Sequence, residues 1–209
     1  MKPPTSHTGA LSNRTEDRAV IQDLSPGLFP LYAGRMNCAF FKSPLGWLTL
    51  VSGPAGLRSL RFGRLEPGGM VENPDANRRV LRQLGEYFEG RRGEFDVGLD
   101  LVGTPFQLAV WNALRGIPYG ETRSYSAIAR EVGRPRAARA VGMANHENPI
   151  AIIVPCHRVI GSDGTLTGYA AGIDLKSRLL AFEGALAPEE SRAAAPVRGR
   201  STLPVPVLS

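Results

Sequence analysis

The stretch Ile152–Ile160, IIVPCHRVI, sets a thiol beside an imidazole. Cys156 and His157 follow a β-branched run closed by Pro155, and Arg158 comes next. A thiol is a weak nucleophile until it becomes a thiolate, and the usual means are a nearby base, a positive charge or a helix N-terminus. His157 is a candidate base. Residues 152–154 read as a buried strand, and adjacent side chains of a strand point to opposite faces. Only a turn at Pro155–Cys156 lets the two share a site, directly or through water. A group to orient the imidazole must come from elsewhere, and Glu183, at the end of DLKSRLLAFEG, is a candidate. The plain alternative for Cys156 is a buried structural cysteine, the commonest fate of a lone cysteine in a strand. For His157 it is a core histidine satisfied by backbone. Cys38, in MNCAFFK, has nothing polar to activate it and reads as structural. His7 and His146 have no companions at metal-ligand spacing, so no metal and no cofactor are expected.

The 209 residues leave room for one large or two small domains, and 43% hydrophobic content is that of a globular chain. The longest apolar run falls far short of a membrane span, and no membrane partner is expected. The first 20 residues hold no apolar h-region, so no secretory signal is expected. Two cysteines make neither a disulfide framework nor a four-cysteine zinc site. A reduced intracellular setting follows, cytoplasmic and, in a bacterium, close to the nucleoid. The net charge of +6 and a pI near 9.8 favour polyanionic partners, nucleic acid first.

The elements that must position the candidates divide the chain. Residues 1–33 are polar and read as a flexible leader, and 185–209, rich in Ala and Pro, as a disordered tail. Between Met36 and Phe62, MNCAFFK, WLTLV and LRSLRF, broken by SPLG and SGPAG, read as three antiparallel strands joined by tight turns. A helix is predicted over Pro74–Phe88, with Pro74 in its first turn and Val80, Leu81, Leu84, Tyr87 and Phe88 at helical spacing. Residues 34–100 thus read as a small α+β domain. TPFQLAVWNALRGIP opens the second part, 101–184: Thr104 with Gln107 is a capping-box pattern, and Phe106, Val110, Ala113 and Leu114 make one face. SYSAIAREVG and RPRAARAVGMANHEN read as two short helices around Gly133, a helix-turn-helix outline with the second helix starting at Arg136. Its small residues allow close approach to a surface, while few side chains could read base edges. A last helix carries Leu175, Leu179 and Phe182 on one face and stops at Gly184.

NPIAIIVPCHRVI, followed by GTLTGYAAG and LLAFEG, resembles the O6-alkylguanine-DNA alkyltransferases. The resemblance reaches back through RAARAVGMAN and IPYGETRSYSAIA to GTPFQLAVWNAL, covering Gly103 to Gly184, with weaker motifs in SPLGWLTLVSGPAGLRSLRFG. It implies an α+β chain: a small N-terminal ribonuclease-H-like domain, then a mainly helical, winged helix-turn-helix-like domain. It implies irreversible, single-turnover transfer of an alkyl group from O6 of guanine in double-stranded DNA to Cys156, after the nucleotide is flipped. O4-alkylthymine stands as an open second substrate, and the protein is expected to act as a monomer.

The resemblance also assigns roles. Cys156 accepts the alkyl group, His157 acts on it through a water, Glu183 orients His157, Asn148 braces the turn, and Tyr125 handles charge on the departing guanine. Arg139 takes the place of the flipped nucleotide, with Ser124, Arg136, Ala138, Ala140 and Gly142 along the DNA. Asn145, Pro149, Val159, Tyr169 and Ala170 line the alkyl and base pocket. Ala170 stands where some relatives carry a hydroxyl. A related group has tryptophan at the cysteine position and only binds lesions, so Cys156 argues against that class. Two rival readings are a helix-turn-helix regulator or lesion-flagging protein with an inert Cys156, and a cysteine hydrolase, which would lack an oxyanion arrangement.

Overall fold

The computed structural model describes residues 36–66 and 69–186. The leader, His7 and all but the first two residues of the expected tail lie outside the described residues. The architecture is the α+β one expected. Strands β1 (Asn37–Ser43), β2 (Gly46–Gly53) and β3 (Gly56–Phe62) form an antiparallel meander, and β4 (Val71–Glu72) pairs parallel with β1, giving the order β3-β2-β1-β4. The first hairpin closes at the Ser43–Gly46 pair, where Ser43 Oγ donates to the Gly46 carbonyl at 2.7 Å. Gly56, at φ +131°, could carry no Cβ: one would sit 2.5 Å from the Gly98 carbonyl oxygen.

Helix α1 (Arg78–Phe88) lays Val80, Leu84 and Tyr87 on the sheet, in one core with Ala39, Leu48, Leu50 and Leu60. It begins later than predicted. Pro74 heads a separate 3-10 turn, Asp75–Asn77, and Asn77 (φ −106°, ψ 6°) leaves helical geometry before α1 starts.

Helix α2 (Pro105–Arg115) is capped as the sequence predicts, with Gln107 N–H donating to Thr104 Oγ1 and Thr104 N–H to Gln107 Oε1. Its buried residues include Trp111, whose indole N–H bonds the Ala144 carbonyl at 2.8 Å. Two short helices follow, α3 (Tyr125–Glu131) and α4 (Ala138–His146), with Gly133 at φ +70° between them. The second starts at Ala138 and not Arg136, because Arg134–Ala137 closes as a turn through Ala137 N–H to the Arg134 carbonyl at 2.8 Å. The short strands β5 (Arg123–Ser124) and β6 (Val159–Ile160) pair parallel. Helix α5 (Ile173–Phe182) ends as predicted: Gly184, at φ +73°, bonds back to Ala181 and Ala185 N–H to Leu180, a Schellman closure.

The two halves share one core. Edge strand β3 also pairs with the segment before Cys156, Leu60 N–H bonding the Pro149 carbonyl and Ala151 N–H the Leu60 carbonyl, at 2.9 and 2.8 Å. Among the described residues no helix is long and apolar enough to cross a membrane.

Candidate active site

Residues 152–154 are not the strand predicted from their β-branched types. They fold as successive tight turns: Ile153 N–H bonds the Ala151 carbonyl, Cys156 N–H bonds the Val154 carbonyl, both at 2.8 Å, and Ile152 takes φ +69°. Pairing with β3 ends at residue 151, and burial of Ile152 and Val154 in the core holds the turn closed. A left-handed β-branched residue is a strained one, and such strain clusters at functional sites. The turn runs into a 3-10 segment, Cys156–Arg158, all three residues buried. Cys156 and His157 therefore lie in one turn, the condition their joint use requires.

Asn148, following α4, braces that turn from both sides. Its Nδ2 donates to the Val154 carbonyl at 2.7 Å and to Cys156 Sγ at 3.0 Å, and its Oδ1 accepts from Ile150 N–H at 3.0 Å. Burial pushes the Cys156 thiol up; the Asn148 amide and the charge of Lys176 pull the other way without reversing it. At neutral pH the resting group is a thiol.

Glu183, just past α5, faces the same turn. Its Oε1 accepts from Tyr87 Oη at 2.7 Å, Arg158 Nη2 at 2.9 Å and His157 Nε2 at 3.0 Å, and its Oε2 accepts from Arg158 Nε at 2.7 Å. Burial raises the carboxyl pKa, but the bonds from His157 and Arg158 outweigh it and hold the group at about 2. An ionised carboxylate only accepts, so Nε2 of His157 carries the proton and Nδ1 holds the free lone pair. Nδ1 is buried and bonds no protein atom among the described residues. Burial also lowers the His157 pKa, outweighing the pull of Glu183, so the imidazole is neutral.

Lys176 is fully buried on the same face of α5. Its Nζ donates to the Val159 and Thr167 carbonyls at 2.6 and 2.7 Å, and to Tyr125 Oη at 3.4 Å. Burial lowers its pKa to about 8, partly opposed by Cys156. The Tyr125 hydroxyl donates to the Thr167 carbonyl at 3.0 Å, and burial raises its pKa. The Tyr169 hydroxyl is buried without a partner among the described residues, its pKa raised by burial and by the nearness of Cys156 and Glu183.

The structure thus brings together Cys156, His157, Glu183 and Asn148, with Tyr125 and Tyr169 alongside. Val159 is buried, Pro149 half-buried with its carbonyl on β3, and Ala170 exposed. The Asn145 amide is buried, and neither its nitrogen nor its oxygen has a partner among the described residues. On α4 and the turn before it, Arg136, Arg139 and Ala140 are exposed, Ala138 and Gly142 partly so. Ser124 Oγ is engaged as the cap of α3, accepting from Ala127 N–H at 3.1 Å. Sequence reasoning missed Tyr87, Arg158 and Lys176. Only Lys176 left a signal: with Leu179, Leu180 and Glu183 it falls at helical spacing on one buried face, where a lysine is out of place.

Two family models match the chain: "6-O-methylguanine DNA methyltransferase, ribonuclease-like domain" over residues 36–101, and "6-O-methylguanine DNA methyltransferase, DNA binding domain" over 105–185. The methylated-DNA--protein-cysteine methyltransferase of Methanosarcina acetivorans is 53% identical over 154 residues, 71% of this chain and 99% of that protein. Its counterpart in Mycolicibacterium paratuberculosis is 56% identical over 145 residues, 68% of this chain and 88% of that one. The crystal structure of the Mycobacterium tuberculosis O6-methylguanine methyltransferase superposes with a TM-score of 0.67 at 52% identity, covering 73% of this chain and 95% of that one. The Mycobacterium tuberculosis OGT in complex with DNA gives 0.65 at 48% identity, covering 74% and 98%.

Proposed function

The chain belongs to the 6-O-methylguanine DNA methyltransferase family, and from that premise we propose how its own residues repair DNA. It is a methylated-DNA–protein-cysteine methyltransferase, transferring an alkyl group from DNA to a cysteine of its own. Cys156 is that cysteine, and the substrate is O6-alkylguanine in a duplex. The observation that carries the assignment is one buried turn in which Asn148 grips Cys156 Sγ while His157, next in the chain, is tied to an ionised Glu183.

Displacement at an alkyl carbon calls for a soft anion. The thiol proton passes to the free Nδ1 of His157, through a water, and the positive charge that forms is met by Glu183. The thiolate attacks the alkyl carbon, an S–C bond forms, and the C–O6 bond breaks. The leaving guanine takes up a proton, which the neutral Tyr125 phenol supplies and then recovers from the protonated His157 by way of water. The sum is thiol plus alkylguanine giving thioether plus guanine. Lys176, beside Cys156, favours the thiolate at the moment of transfer. The thioether is stable and nothing in the site regenerates the thiol, so each molecule acts once.

A base in a duplex is out of reach, so the nucleotide is turned into the pocket beside Tyr169. Helix α4 enters a groove, its small exposed face admitting close approach and Arg139 filling the gap. Residues 34–100 support the turn and 101–184 carry DNA binding and chemistry, in a monomer acting in the cytoplasm. Incubation with an O6-methylguanine duplex, then peptide mass analysis, tests the assignment. One methyl is expected on the Cys156 peptide and none on buried Cys38. Repeated turnover, or a label elsewhere, would overturn it. Cys156→Ala should abolish transfer and keep DNA binding.

A further inference from the structure

We propose that Tyr87, contributed by the N-terminal domain, is a positioning residue for alkyl transfer: its hydroxyl fixes how Oε1 of Glu183 receives His157. The proposal rests on the family reading of the Cys156 site. Among the described residues Oε1 of Glu183 takes three donors, Tyr87 Oη at 2.7 Å, Arg158 Nη2 at 2.9 Å and His157 Nε2 at 3.0 Å, whereas Oε2 takes Arg158 Nε alone. An oxygen with two lone pairs cannot serve three donors equally, so each constrains the others. The tyrosine bond is the shortest of the three, and its donor is the best anchored. The Tyr87 ring is fully buried and packs on the rings of Phe88, Phe95, Tyr119 and Phe182 at centroid separations of 5.0 to 6.0 Å. Burial, and then the neighbouring Glu183, push the phenol pKa up, so the group is a donor at any working pH.

The other titratable and charged groups facing this pair are Arg158, Lys176, Cys156, Tyr119 and Tyr169. Among the described tyrosines Tyr87 alone bonds the carboxylate: Tyr119 Oη donates to the Phe182 carbonyl at 3.3 Å, and Tyr169 Oη has no partner among the described residues. Removing the Tyr87 hydroxyl leaves Oε1 to His157 and Arg158. The carboxylate then pulls harder on the Nε2 proton, the imidazolium is favoured, and His157 is out of use as a base up to a higher pH.

The test measures transfer from free O6-benzylguanine against pH for the full chain, Tyr87→Phe, Tyr119→Phe, Glu183→Gln and the Tyr87→Phe/Glu183→Gln double variant. Free base removes any effect through DNA binding. Tyr87→Phe should transfer several-fold more slowly than the parent on the acid side of the profile and approach it at high pH, where His157 is neutral in both. Its acid limb should move to higher pH, with near-normal thermal unfolding, while Tyr119→Phe matches the parent. In the Glu183→Gln background, Tyr87→Phe should have no further effect. A Tyr87→Phe profile that overlays the parent's overturns the proposal, as does an equal loss in the Glu183→Gln background. Transfer from an O6-methylguanine duplex is the control: if the parent places no methyl group on Cys156, the family reading of the site falls, and this inference with it.

Discussion

Glu183 is ionised where a carboxylate has almost no water, and what keeps it so is the bond from His157 together with Arg158, bonded to both of its oxygens. With a pKa near 2 it is no destination for a proton. It aligns the imidazole and offsets the charge that His157 acquires. Glu183→Gln keeps the shape, removes the charge and turns one acceptor into a donor. Transfer should fall by at least about tenfold, since general-base help is worth about 10²–10⁴-fold. The pH at which the rate reaches half its plateau should also shift, because His157 and Cys156 ionise together. Identical rate–pH curves for the two proteins would refute the role. This site was legible mainly through the family resemblance. Adjacency drew attention to Cys156 and His157, but a lone cysteine after a β-branched run reads first as structural, and a glutamate between Phe182 and Gly184 is unremarkable by itself. Arg158 gave no signal, because an arginine after a histidine is ordinary until its side chain is seen buried against a carboxylate.

At the scale of elements, local rules read well where the chain caps itself. The Thr104–Gln107 box and the Gly184 stop are both as predicted, because each depends on residues within one turn of the helix end. Residues 152–154 defeated the reading because β-branched side chains favour strands only where a neighbouring strand is available. Here pairing with β3 stops at residue 151, and the long-range constraint wins. Helix α4 supports a separable prediction. Arg139 is exposed on the helix itself, whereas Arg136 lies in the turn before it. Arg139→Ala should repair a duplex lesion much more slowly yet react almost normally with free O6-benzylguanine, since the unstacking it offsets is worth about a few kcal/mol. Arg136→Ala should show a mild binding defect with the salt slope reduced by about 1. Equal, small losses in both variants, on duplex and free base alike, would sink the distinction.

At the scale of the whole molecule, the two domains meet in a single core, and a buried charge lies within it. Tyr87 and Glu183 are 96 residues apart, a contact that no local pattern announces. The pair Arg158–Glu183 should matter to stability for the same reason that it matters to the site. Arg158→Met leaves a buried carboxylate without its cation, and breaking such a pair from one side costs about 3–5 kcal/mol. The sign of the pH dependence follows from Glu183. Its folded pKa, about 2, lies below the unfolded value near 4.5, so its ionised form stabilises the fold above pH 4.5, on the order of 3 kcal/mol. That contribution drains away as pH falls from about 4.5 towards 2, with roughly half or less remaining at pH 3. In Arg158→Met the carboxyl pKa rises, and the group takes up its proton in the folded state. Urea unfolding of both proteins at pH 7 and pH 3 checks this: the variant should be several kcal/mol less stable at pH 7, and the gap should narrow at pH 3. A gap that is constant across that range would mean that Arg158 supports the fold through packing and its bond to the Ile117 carbonyl, and not through the charge it shares with Glu183.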